Sequence, residues 1–146
     1  MIKGALFDID DTLFSHKIKA VPTLTLKALD ELKQKGIKIG VCTSRIGAEM
    51  HTIPKELTDR IDCYVLSTGA ITMKKDSYYK AYTLKYEDLK EYIDYFKANN
   101  IPFDYSDVNG DLFFDGDEKL LKDRNLLSWA KNVMIKEYEG EEVTSL

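Results

Sequence analysis

Histidine, cysteine, tryptophan and proline are scarce in this chain. The only histidines are His16 and His51, and the only cysteines are Cys42 and Cys63. No Cys/His spacing of a zinc site is therefore present. Both cysteines lie in apolar runs, Val41-Cys42 and Cys63-Tyr64-Val65, which reads as two reduced core thiols. Basic charge is also lacking: 21 Lys+Arg against 25 Asp+Glu leave a net charge of −4, which argues against a nucleic-acid partner. No run approaches the ~20 apolar residues of a membrane helix. The apolar start of the chain is broken at Asp8, so it is not a signal peptide. A soluble, cytoplasmic protein is expected, with no nucleic acid and no membrane among its partners.

What is present is a real core. Apolar residues make up 44% of 146, enough for one ordinary domain or one and a half small ones. "GALFD" (4–8) is a continuous apolar run, the pattern of a strand covered on both faces. "VPTLTLKALDELKQKG" (21–36) places Val21, Leu24, Ala28, Leu29 and Leu32 at helical spacing, with Pro22 near its start and Gly36 past its end. "IKIGVCT" (37–43) predicts a second strand, "SRIGAEMHTI" (44–53) a short helix and "DCYVLST" (62–68) a third strand. This βαβαβ series predicts an α/β fold with a Rossmann-like parallel sheet.

After about residue 75 the pattern changes. "KYEDLKEYIDYFKANN" (85–100) is amphipathic, with Leu89, Tyr92, Ile93 and Phe96 on one stripe. "PFDYSDVNGDLFFDG" (102–116) alternates aromatic and polar residues around Asn109-Gly110, a strong hairpin signal. Residues 117–132 read as helix, and 133–146 begin as a strand and reach the acidic stretch "EYEGEE" (137–142), read as a hairpin turn. Two domains are expected: 1–75, and an α+β module at 76–146. Tyr78, Tyr79, Tyr82 and Tyr105 are candidates either to face a site or, in the commoner role, to pack the module's core.

The chemistry concentrates in "LFDIDDTLF" (6–14). Asp8 and Asp10 are two residues apart at the end of a strand, and on an extended chain such residues point the same way. Ligands of open α/β sheets bind at the carboxyl ends of the strands. If Thr43 ends the second strand, Asp8, Asp10 and Thr43 converge on one crevice. Backbone N–H groups of the turn after Asp8 and of Ser44 can cradle an anion there. Two close carboxylates repel unless a cation lies between them, and a hard divalent ion such as Mg²⁺ suits oxygen ligands.

"FDIDDTLF" resembles the first motif, D-x-D-x-T, of the haloacid dehalogenase-like (HAD) phosphohydrolases. "IGVCTSR" (39–45) resembles their second motif and "STGA" (67–70) the S-N-G-A turn of the Cof-like subgroup, with Thr68 in place of Asn and Ser44 in place of the usual Gly. The resemblance covers the whole chain and implies an incomplete HAD core followed by an inserted α+β cap. It implies that Asp8 is the nucleophile and Asp10 the general acid/base. Asp8 and the backbone of Asp10 would hold Mg²⁺. Thr43 and the N–H groups of Ser44 and Asp11 would bind the phosphoryl group of a small phosphorylated substrate, with Thr12 bracing the loop. Arg45 would either reach toward substrate or form a salt bridge at a helix start.

The family's third motif, a lysine, and its fourth, an acidic pair, have no convincing counterpart. "GDLFFD" (110–115) matches G-D-x-x-x-D by letters only, because it sits in the expected hairpin, and Lys119 and Lys122 follow it rather than precede it. The expectation is the N-terminal part of a phosphatase of small phosphorylated metabolites, weakly active or inactive in this chain. The alternative is a non-catalytic binding or interaction fragment. A receiver-type phosphoacceptor domain fits poorly, because the third strand ends in Ser67-Thr68-Gly69 rather than an acceptor Asp. In an N-terminal part that lacks the fourth core strand, normally paired beside the first, the first strand would have a bare apolar edge, inviting self-association. Sedimentation should show an oligomer; a compact monomer would count against this reading.

Overall fold

The computed structural model describes residues 2–74, 77–123, 130 and 133–146. The chain forms two compact units, Met1–Arg45 with Thr52–Lys80, and Ile46–His51 with Ala81–Leu146. Among the described residues, no helix is long and apolar enough to cross a membrane.

The first unit is built on a five-stranded sheet in the order β1-β2-β3-β4-β5. Strands β1 (Gly4–Phe7), β2 (Lys38–Cys42) and β3 (Cys63–Leu66) run parallel, with Phe7 level with Val41 and Cys42 level with Val65. Helix α1 (Thr23–Gln34) joins the first two strands and packs against β2. It turns Leu29 inward, but Leu24 is 78% exposed and Ala28 also faces out, so the apolar stripe is narrower than its spacing predicts. The short helix α2 (Lys55–Thr58) precedes β3, and a forked Arg60–Asp30 pair at 2.8 Å and 2.8 Å ties its end back to α1. Two further strands, β4 (Ile71–Lys74) and β5 (Ser77–Ala81), extend the sheet. The pairing of β4 with β3 is antiparallel, an extension that the sequence pattern did not announce.

One face of this sheet is covered and the other is not. Ile39 and Val41 are fully buried, whereas Leu6 is 63% exposed and Cys42 is exposed. The double-sided burial expected for β1 and the core placement expected for Cys42 are therefore incorrect. Leu6, Gly40 and Cys63 stand level across β1, β2 and β3 on the open face, while the buried alternates face the covered side. Both thiols are free, as expected. Strand β1 is an edge strand.

In the second unit, α3 (Tyr86–Ala98) precedes the hairpin of β6 (Phe103–Ser106) and β7 (Leu112–Asp115). Leu89 and Ile93 of α3 join Phe103, Tyr105, Tyr138 and Val143 in one buried cluster. Tyr92, predicted on this stripe, is instead 62% exposed. The hairpin turn is closed by Asp107, whose Oδ1 accepts the N–H groups of Asn109 at 2.8 Å and Asp111 at 3.0 Å. Gly110 has φ +79 and lies against Gly47; a Cβ there would stand 2.6 Å from the Gly47 Cα. Only glycine meets both demands.

Short helix α4 (Glu118–Asp123) follows, and β8 (Met134–Ile135) pairs parallel with β7. The rest of the helix expected at 117–132 lies outside the described residues, except for buried Ala130. Residues 137–142 do turn the chain, but not within a hairpin: Val143 bridges to Leu84 and Ser145 to Ser106. The segment expected as a helix at 44–53 is a 3-10 turn over Gly47–Thr52, with Ile46 and Ala48 buried beside Leu112 and Ala130. Tyr105 is a core residue and Tyr82 is exposed; the side chains of Tyr78 and Tyr79 lie outside the description.

Glu141 organises the end of this unit. Its carboxylate accepts from the Lys136 ammonium at 2.7 Å, the Tyr105 hydroxyl at 3.0 Å and the Glu139 N–H at 3.0 Å. Partial burial opposes its ionisation, but these donors outweigh it and hold the carboxyl down at about 2. A carboxyl lowered on folding contributes stability that is full above its unfolded value and is lost as pH falls through its folded value. The Glu141 contribution should therefore fade between about pH 4.5 and 2. Glu141→Gln should lower stability at pH 7 by about 1–2 kcal/mol, after discounting for solvent screening. The difference from wild type should shrink below pH 4 in urea melts; an unchanged difference there would refute this assignment.

Candidate active site

Every candidate side chain lies in the first unit, at the carboxyl ends of β1 and β2 and in the turn after β3. Asp8 follows β1 directly and is exposed. The chain then folds around the carbonyl of Ile9, which accepts the N–H groups of Thr12 at 3.3 Å, Leu13 at 2.9 Å and Phe14 at 2.8 Å. Buried Ile9 and Leu13 anchor this loop from below, so the polar residues between them face outward. Asp11 takes the left-handed conformation at φ 56, which aspartate tolerates better than most residues. Its side chain accepts the His16 N–H at 3.1 Å. Its own N–H, expected on a phosphoryl group, donates to the Phe14 carbonyl at 2.7 Å. Thr12 is exposed, and its N–H helps to close the loop.

Asp10 is the best-connected group. Arg45 grips it as a fork, Nε donating to Oδ2 at 2.8 Å and Nη2 to Oδ1 at 2.6 Å. His16 Nε2 lies 2.6 Å from the same Oδ1. The Arg45 guanidinium, with His16 adding to it, holds the Asp10 carboxyl below the usual carboxylate range against the opposing effect of partial burial. Forked guanidinium–carboxylate pairs are among the stronger charge-assisted contacts, and this one is sheltered: the Arg45 side chain is 14% exposed. A third nitrogen of Arg45, Nη1, donates to the Thr52 hydroxyl. In this arrangement both Asp10 oxygens accept hydrogen bonds, and Arg45 forms a salt bridge with Asp10.

Thr43 continues the β2 ladder by donating its N–H to the Val65 carbonyl at 2.9 Å, and it is buried. Its Oγ1 accepts the Arg45 N–H at 3.2 Å. Ser44, between them, is exposed. The turn after β3 fixes this loop from the other side: Ser67 N–H donates to the Arg45 carbonyl at 2.9 Å and Thr68 N–H to the Thr43 carbonyl at 3.2 Å. Ser67 and Thr68 both adopt positive φ, 50 and 53, at a cost of roughly 1–2 kcal/mol for each L-residue.

Sequence reasoning singled out Asp8, Asp10, Thr43, Ser44 and Arg45 but missed His16 and Thr52. His16 reaches the Asp10–Arg45 pair from a loop and Thr52 from the end of a short 3-10 turn, and no periodicity points to either. The only signal available for His16 was its rarity.

Among the described residues no group of three or more His, Cys, Asp or Glu could hold a metal ion. Asp8 and the Asp10 carbonyl offer two oxygens in one loop. That fits Mg²⁺, which commonly keeps several waters and takes one or two carboxylates together with substrate phosphate.

A profile of the haloacid dehalogenase-like hydrolase family matches residues 5–144. A search of curated proteins finds no match. Among solved structures, the chain is similar to a HAD subclass IIB sugar phosphatase, at 23% identity and a TM-score of 0.76, over 92% of this chain and 52% of that one. It is similar at 23% identity and a TM-score of 0.72 to a HAD/COF-like hydrolase from Plasmodium vivax, over 92% and 50%. A phosphatase of the haloalkanoate enzyme superfamily from Bacteroides thetaiotaomicron matches at 20% identity and a TM-score of 0.70, over 93% and 50%. The chain thus spans about half the length of these structures. A mixed sheet with parallel β1, β2 and β3, the D-x-D loop after β1 and a family match over nearly the whole sequence lead to one conclusion: the chain belongs to the haloacid dehalogenase-like hydrolases.

Proposed function

We propose that this chain carries the nucleophile half of a Mg²⁺-dependent phosphomonoesterase acting on small phosphorylated metabolites. The observation that supports it is the placement of exposed Asp8 and buried Thr43 just past the ends of two neighbouring parallel strands, with Asp10, forked by Arg45, in the loop that follows Asp8. Similar structures include a sugar phosphatase and a phosphatase of the same superfamily, which supports the same reading.

The proposed reaction has two displacements. An Asp8 carboxylate oxygen attacks phosphorus while the ester P–O bond breaks, and Asp10 delivers a proton to the departing oxygen. Asp10, now ionised, takes a proton from water; that water attacks phosphorus and the Asp8–phosphorus bond breaks. Thr43 Oγ1 and the Ser44 N–H hold the equatorial oxygens. Bound Mg²⁺, held by Asp8 and the Asp10 carbonyl, would neutralise charge on the phosphoryl oxygens. The Arg45 fork favours the ionised form of Asp10, so proton donation by Asp10 works against that contact.

The second reading, a non-catalytic binding fragment, draws on the engaged oxygens of Asp10. Beryllofluoride, a phosphoryl mimic that bonds to carboxylates, separates the two. With Mg²⁺ present, ¹⁹F NMR should show a bound species that disappears in Asp8→Asn and on chelation. No bound species in the wild type would favour the non-catalytic reading. Turnover of p-nitrophenyl phosphate by this chain should be weak or nil. Robust Mg²⁺-dependent turnover, lost in Asp8→Asn, would show that the chain holds all it needs.

A further inference from the structure

The turn Ser67-Thr68-Gly69 is an unusual stretch of backbone. All three residues have positive φ, at 50, 53 and 105. Gly69 meets that demand at no steric cost, but Ser67 and Thr68 do not, and a β-branched residue in this region is an outlier. Ser67 is 93% buried by the complement of its 7% exposure, and its Oγ has no hydrogen-bond partner among the described residues. The side chains therefore gain little from this conformation. What the turn achieves lies in its backbone: the N–H groups of Ser67 and Thr68 reach the carbonyls of Arg45 and Thr43.

The consequence follows from peptide geometry. In a trans peptide the C=O of one residue and the N–H of the next point in opposite directions, and among the described residues there are no cis bonds. Thr68 holds the Thr43 carbonyl toward the β3 turn, so the Ser44 N–H must point away from it. Resting on the phosphoryl-transfer reading above, we propose that Ser67-Thr68-Gly69 is a positioning element for the phosphoryl-binding loop, with Thr68 orienting the Ser44 N–H as an anion donor. Thr68 touches no reacting atom in this assignment; it acts through the Thr43–Ser44 peptide. The left-handed turn is the cost of bringing two donors back over the end of β2.

The test uses ¹⁵N,¹³C-labelled full chain. In the wild type, a scalar coupling should be seen across the hydrogen bond from the Thr68 nitrogen to the Thr43 carbonyl carbon; its absence would overturn the proposal. The residual dipolar coupling of the Ser44 N–H reports that bond's direction. Thr68→Gly keeps the N–H and accepts the conformation, so it should leave the coupling in place. Gly69→Val, which places a β-branched residue at φ 105, should shift it and speed exchange of the Ser67 and Thr68 amides about tenfold, as expected for loss of one hydrogen bond. Thr68→Pro, which removes the N–H altogether, should shift the Ser44 coupling as well. An unmoved Ser44 coupling in either folded variant would refute the positioning role. Should neither fold, the wild-type measurement decides. Titration with inorganic phosphate and Mg²⁺ tests the underlying reading separately. A Ser44 amide that responds to the turn variants but not to phosphate would retire the phosphoryl-transfer reading and leave the positioning assignment standing. The reverse pattern would retire the assignment alone.

Discussion

The parallel pairing of β1, β2 and β3 decides where every candidate group stands. Phe7 is level with Val41, and Cys42 with Val65, so Asp8 and Thr43 emerge within a residue or so of each other along the strands. A slip of one residue would turn Asp8 and the buried alternates to the wrong faces. The register is held by burial on one side, where Ile39, Val41 and Leu66 leave almost no surface exposed. The sheet thus fixes the level of the site, and the loops beyond it fix the direction of each group.

Direction comes from a small network centred on Arg45. Its side chain forks onto Asp10, its N–H donates to Thr43 Oγ1, and its carbonyl accepts from Ser67. One residue therefore links the loops that follow all three parallel strands. A partly buried ion pair pays a desolvation cost, and it holds best where geometry is forked and the remaining acceptor sites are filled. Here Asp10 is filled from a second side by His16. The network favours the ionised form of Asp10, which suits an acceptor or base more directly than an acid.

Much of the fold was legible because it rests on local rules. The apolar runs at 4–8 and 37–43 became strands, and Asn109-Gly110 became a hairpin turn. Failures occurred where burial depends on what lies opposite. Leu6, Cys42, Leu24 and Tyr92 have the letters of core residues, but nothing in those letters says whether an element covers them. The acidic loop was readable as a site because carboxylates crowded after an apolar strand need a chemical reason. His16 and Thr52 were not, because their approach to Asp10 and Arg45 depends on how the chain wraps around the Ile9 carbonyl and on a 3-10 turn, neither of which has a periodic signature.

The six residues Ile46–His51 belong to the second unit although the chain on both sides of them belongs to the first. Gly47 packs against Gly110, far downstream. During synthesis, those residues leave the ribosome long before the hairpin that receives them. The second unit cannot be complete without residues already committed to the middle of the first. The two units are thereby interleaved along the chain, and no single cut would separate them.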